Sequence, residues 1–167
     1  MLILAFRFRW LRAVLMFGLV WISMAIVSAP VSAAVDPYVR NYLQVTDPVP
    51  VVMNDQGETQ LFSVDEMVAG KKLFEQHCAA CHVGGGTLPN PPVSLALDAL
   101  KQATPPRDTV NQLVQFMRHP MDYDNSEETL LCREVPETWL PQKDVQNLAA
   151  FILRAAEKAR GWGTASF

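Results

Sequence analysis

Three cysteines in 167 residues, Cys78, Cys81 and Cys132, leave little to cross-link this chain. They exclude a small disulfide scaffold, which needs a dense and even set of thiols. Positive charge is also short: 14 Lys and Arg stand against 17 Asp and Glu, a formal net charge of −3. That excludes a general electrostatic grip on nucleic acid. Polarity is too low for a disordered chain, with 50% hydrophobic and 19% charged residues. The chain has no internal repeat. Its main apolar run, residues 13–27, is 15 residues long, short of the roughly 20 that a stable membrane-spanning helix needs.

The ends of the chain are unlike. Acidic residues are missing before Asp36, whereas Arg7, Arg9 and Arg12 precede the apolar run. Small residues follow it, ending in Ser32, Ala33 and Ala34. A basic start, an apolar core and a small-residue exit predict a secretory signal peptide over residues 1–34, cleaved near Ala33 or Ala34. An uncleaved N-terminal anchor is the alternative, and the small residues speak against it. Cleavage removes three arginines and no acid, taking the formal charge from −3 to −6. The exported chain is then acidic, favours basic partner surfaces, has no membrane span left, and works outside the cytoplasm.

Pro37, Pro48 and Pro50 make residues 35–50 read as an extended arm. Two short apolar runs, residues 51–53 and 59–62, flank Asn54-Asp55-Gln56-Gly57 and predict a β-hairpin. Residues 35–62 are thus an arm and hairpin, and residues 63–167 the main domain. Ser63 and Glu66 form a capping box that opens a helix to about His77. Met67, Gly70, Lys71 and Phe74 share one face of it. Gly70 costs helix stability, about 1 kcal/mol against Ala, which points to close approach of another helix. Three glycines, Gly84 to Gly86, with Pro89, Pro91 and Pro92 predict a long loop. A short helix over residues 95–102 follows, and Thr104-Pro105-Pro106-Arg107-Asp108 breaks the chain. Asp108 or Thr109 caps the next helix, with Val110, Leu113, Val114 and Met117 on its apolar stripe and Pro120 ending it. Residues 121–139 read as irregular and acidic. The last helix covers about 141–158, with Val145, Leu148, Ala149 and Ile152 inward and Gly161 and Gly163 beyond its end. The fold class is all-α with an N-terminal β-hairpin. Long loops in so small a domain imply that something other than side chains fills part of the core.

Cys78-Ala79-Ala80-Cys81-His82 identifies it. Cys-x-x-Cys-His is the attachment signature of c-type haem: two thiols three positions apart reach the two vinyl groups, and the adjacent imidazole of His82 binds iron. One such motif means one covalent haem c. A thioredoxin-type redox pair would open a helix in a strand-rich pattern, whereas this motif ends one. A zinc site needs a second Cys/His pair at suitable spacing, which Cys132 and His119 do not supply. A disulfide between Cys78 and Cys81 would be strained.

The far side of the haem decides between electron transfer and ligand binding. Met117, His119, Met121 and Cys132 are the candidate sixth ligands. Met117 fits a core position, His119 an exposed helix end, and Met121 a loop able to reach the iron. Cys132 is an odd thiol in an oxidising compartment. Leu130 and Leu131 before it favour an inward orientation. A buried free thiol, an intermolecular disulfide and a haem ligand all fit it. Asp122, Asp124, Glu127 and Glu128 read as a solvated face without EF-hand spacing, and no constellation suggests an enzyme.

The run from Glu75 through Cys78, Ala79, Cys81, His82, Val83, Gly84 and Gly85, then Ala103-Thr104-Pro105-Pro106-Arg107-Asp108 and Tyr123-Asp124, resembles cytochrome c-550, the extrinsic haem subunit of photosystem II. The hairpin and Gly161-Trp162-Gly163 are similar too. The resemblance implies a class I cytochrome c-like fold in the thylakoid lumen, peripheral to the membrane. It implies a bis-histidine haem of low potential and, as partner, the lumenal surface of photosystem II or a soluble redox protein. The family's second histidine falls close to Cys132. This chain has no histidine after His119, so the resemblance makes Cys132 the sixth ligand and the chain a divergent paralogue. Electron transfer, a mainly structural role on photosystem II, and a sensor with a labile Cys132 are the functions that follow.

Overall fold

The computed structural model describes residues 36–86, 93–129 and 131–164. The expected signal peptide, the prolines at 89, 91 and 92, and Leu130 lie outside them. Residues 35–167 form one compact unit, whose described residues are mostly helical with a single two-stranded sheet.

The segment 35–50 is not the extended arm its prolines suggest. The Asp36 carboxylate accepts the amide protons of Tyr38 and Val39 at 2.9 and 3.1 Å, and Pro37 sits in the first turn, where its missing N–H costs nothing. Together they open a five-residue helix, α1 (Pro37–Asn41), which buries Val39. Leu43 and Val45 are fully buried just beyond it. The hairpin forms as expected, β1 (Val49–Val52) pairing antiparallel with β2 (Thr59–Phe62). Its buried residues are Val51 and Phe62.

Helix α2 (Val64–His77) starts on the anticipated capping box. The Ser63 amide donates to the Glu66 carboxylate at 2.8 Å, and the Glu66 amide donates back to the Ser63 hydroxyl at 3.2 Å. The Ser63 amide is the main cause holding the Glu66 carboxyl below its ordinary 4.5. This stabilisation is therefore full above that value and disappears as pH falls through the lower folded value. We expect Ser63→Ala, which removes the hydroxyl cap and keeps the amide, to cost about 1 kcal/mol near neutral pH. Glu66→Gln, which removes the charge the amide stabilises, makes stability less dependent on pH in the acid range. Both are read from thermal unfolding.

Helices α3 (Leu97–Gln102) and α4 (Val110–Arg118) follow, and Thr109 caps α4 through its hydroxyl. Val110, Leu113, Val114 and Met117 are buried, as their spacing predicts. Helix α5 (Gln142–Lys158) buries Val145, Leu148, Ala149 and Ile152, and its most extensive packing is on α2. Gly70 is the reason the two helices come so close. A Cβ there would overlap the Asn147 carbonyl oxygen and reach 2.8 Å from the Phe151 Cβ. Past α5, Trp162 packs on Phe74 with ring centroids 5.2 Å apart, and its indole N–H donates to the Leu95 carbonyl at 3.0 Å. Gly85 makes room for that indole, which a Cβ would strike. Trp162 thereby ties the end of the chain to the stretch just after Cys81 and His82.

Candidate haem site

Helix α2 delivers the motif. It ends at His77, and Cys78 caps it with its amide donating to the Phe74 carbonyl at 2.8 Å. The chain then turns tightly, with the amides of Cys81 and His82 donating to the Cys78 carbonyl at 3.1 and 2.9 Å. That turn sends Cys81 and His82 to a cleft walled by Leu95, Leu100, Leu113 and Phe116. Cys132 lines the same cleft. The structure therefore gathers onto one cavity three of the four residues that the sequence singles out. The fourth, Cys78, is half-buried and close enough to Cys81 and Cys132 for the three thiols to affect one another electrostatically.

The other sixth-ligand candidates separate. Met117 is buried in the apolar stripe of α4 and does not line the cleft. His119 is the exposed end of α4 and lies in a separate small hollow beside Gln112 and Gln115. Met121 lines the cleft beside Cys132. Leu131 beside Cys132 is 63% exposed, whereas Cys132 itself faces the cleft. In this irregular segment the chain turns Leu131 out at the rim and leaves Cys132 half-buried.

Burial sets the chemistry of these groups. It pushes the Cys78 thiol up to about 12, with Cys132 and Cys81 adding to the effect. It raises the Cys132 thiol too, with Cys81 adding and the Arg107 charge opposing. It lowers His82 below 6.5 against a hydrogen bond with the Gly86 backbone. The His82 ring is therefore neutral at pH 7, the state in which imidazole binds a metal.

These residues fit a haem. Among the described residues no three His, Cys, Asp or Glu side chains converge on a bare metal ion. The donors stand around an apolar cavity instead, the arrangement suited to a flat ring that brings its own iron. Sequence reasoning missed Arg107, which is buried at the cavity wall. Its position after Thr104-Pro105-Pro106 was the available signal. Tyr123 was also without a role; its hydroxyl donates to the Ala99 carbonyl at 2.7 Å and joins the two sides of the cleft.

A helical domain with a Cys-x-x-Cys-His turn opening on such a cavity has the design of a c-type cytochrome. The comparisons narrow the class. Residues 42–167 match the cytochrome c-550 domain. The cytochrome c-550-like protein of Thermosynechococcus vestitus is 52% identical over 158 residues, covering 95% of this chain and 90% of the relative. The photosystem II extrinsic protein V of Gloeobacter violaceus is 56% identical over 134 residues, covering 80% of this chain and 72% of the relative. The crystal structure of the PsbV2 cytochrome of Thermosynechococcus elongatus superposes with a TM-score of 0.76 at 56% identity, covering 78% of this chain and all of that one. Cytochrome c549 gives a TM-score of 0.59 at 34% identity, covering 65% of this chain and 90% of that one. The chain belongs to the cytochrome c-550 family, and its cofactor is a covalently attached haem c.

Proposed function

We propose that this protein is a low-potential, one-electron cytochrome of the thylakoid lumen, with a class I cytochrome c-like fold and a His82/Cys132-ligated haem. The supporting observation is that Cys81, His82 and Cys132 line one cavity. Cys78 and Cys81 would hold the haem through two thioethers, each formed by adding S–H across one vinyl group with no by-product. When bound, haem c supplies reversible one-electron exchange at iron. His82 would hold the iron through its neutral imidazole. Cys132, on the same cavity wall, would be the second residue holding the iron, as a thiolate whose proton passes to solvent. Anionic sulfur stabilises the ferric state over the ferrous, which lowers the potential. Leu95, Leu100, Leu113 and Phe116 wall the cavity with apolar surface and would keep water from the haem.

Export by the 1–34 signal peptide brings the chain to the compartment of this chemistry. Among the described residues no helix is long and apolar enough to cross a membrane, which agrees with a peripheral position. The name of the Gloeobacter violaceus relative favours the lumenal face of photosystem II as the place of work, and the acidic chain suits a basic partner there.

Potentiometric titration of the purified holoprotein tests the reading. The expected midpoint is below that of the same fold with a His/Met haem, because methionine raises the potential. A midpoint in the His/Met range contradicts it. Retention of the protein on washed photosystem II particles distinguishes a bound subunit from a diffusing carrier.

A further inference from the structure

Arg107 is the only buried charged side chain among the described residues, 7% exposed. No carboxylate forms an ion pair with it among those residues. One terminal nitrogen donates to the carbonyls of Met121 and Asp122, at 3.1 and 2.7 Å. Its guanidinium lies 3.9 Å from the centre of the Phe116 ring. Its hydrogen bonds go to neutral carbonyls, so its charge depends on nearby anionic groups to offset burial, and Cys132 and Asp122 on the same wall both act on it.

The two carbonyls begin the segment that leads to that cysteine. The segment folds back on itself: Met121 bridges Glu128, the Asp122 amide donates to the Glu127 carbonyl at 2.8 Å, and the Thr129 amide donates to the Pro120 carbonyl at 3.2 Å. Whatever fixes Met121 and Asp122 therefore also fixes residues 127–129, three positions before Cys132.

We propose that Arg107 is the positioning residue for Cys132, clamping its loop through the Met121 and Asp122 carbonyls and offering a positive charge to its thiolate. Planar geometry suits it to this task, since one nitrogen serves two carbonyls while the plane stacks on a ring. The proposal rests on Cys132 being the sixth ligand. It predicts that the clamp keeps the sulfur in place on reduction, when the iron's hold on an anion weakens.

The test compares wild-type, Arg107→Lys, Arg107→Gln and Arg107→Leu holoproteins by ferric electron paramagnetic resonance and by the rate of carbon monoxide binding after reduction. The expected result for Arg107→Leu is a diminished thiolate signal and carbon monoxide binding faster by about tenfold, the scale of one lost charge-assisted hydrogen bond. Arg107→Lys, which keeps the charge but loses the planar stack on Phe116, recovers part of the wild-type behaviour. Arg107→Gln, which keeps a donor without charge, falls between, and it stands in for Arg107→Leu if that variant does not fold. Uncharged variants with the wild-type signal and wild-type rate overturn the proposal, whatever their melting temperature. A wild-type protein with no thiolate signal overturns it together with the ligation on which it rests.

Discussion

Cys132→His raises the midpoint potential of the holoprotein, by on the order of 0.1 V within the ~0.8 V that axial ligands span. The direction follows from charge. A thiolate brings a negative charge and strong donation, both favouring ferric iron, whereas imidazole is neutral. Cys132 lines the cavity that His82 also lines, so the substitution exchanges one donor for another at the same wall. The Arg107 charge that acts on Cys132 in the parent then has no anion there to answer. Both changes can be followed in one potentiometric titration of parent and variant. A midpoint that stays in place, or falls, means that Cys132 is not bound to iron.

Gly70→Ala lowers stability by about 2 kcal/mol, even though alanine is the better helix former by about 1 kcal/mol. Overpacking a tight contact typically costs 1–3 kcal/mol, and here the obstacle is backbone. The new Cβ meets the Asn147 carbonyl oxygen, with the Phe151 Cβ 2.8 Å away. Neither can rotate aside, so α2 and α5 must separate along the most extensive helix contact among the described residues. For a domain of this size the melting temperature falls by about 8 °C. A variant that melts at or above the parent temperature would show that the two helices have slack at Gly70.

The parts of this fold visible in the sequence are those whose cause is local. Ser63 and Glu66 announce the start of α2, and both capping hydrogen bonds form. Val110, Leu113, Val114 and Met117 repeat at helical spacing and are buried. Gly70 signals a close neighbour but not which one, because Asn147 is remote in sequence. Helix α1 was hidden by its length: five residues are too few for a period of 3.6 to register, and three nearby prolines dominate the reading. The overlooked clue was Asp36-Pro37, an N-cap residue followed by a residue preset for the first turn.

The site divides in the same way. Cys78, Cys81 and His82 form a contiguous motif whose spacing carries its chemistry. Cys132 is distant from them, and no periodicity governs residues 121–139, so adjacency to Leu130 and Leu131 could not orient it. Cys132 does face the cleft, but not because its neighbour does, since Leu131 is solvent-exposed. Arg107 was invisible as a functional residue, because its partners are backbone carbonyls 14 and 15 positions away, and carbonyls leave no trace in a sequence.

Electron paramagnetic resonance of the ferric holoprotein, recorded beside Cys132→Ala, tests the ligation most directly. The account predicts a low-spin signal with the narrow spread of g values given by thiolate-bound haem, lost in the variant. A signal that survives the substitution contradicts it: a His/Met signal points to Met121 on the cleft wall, and a bis-histidine signal to His119.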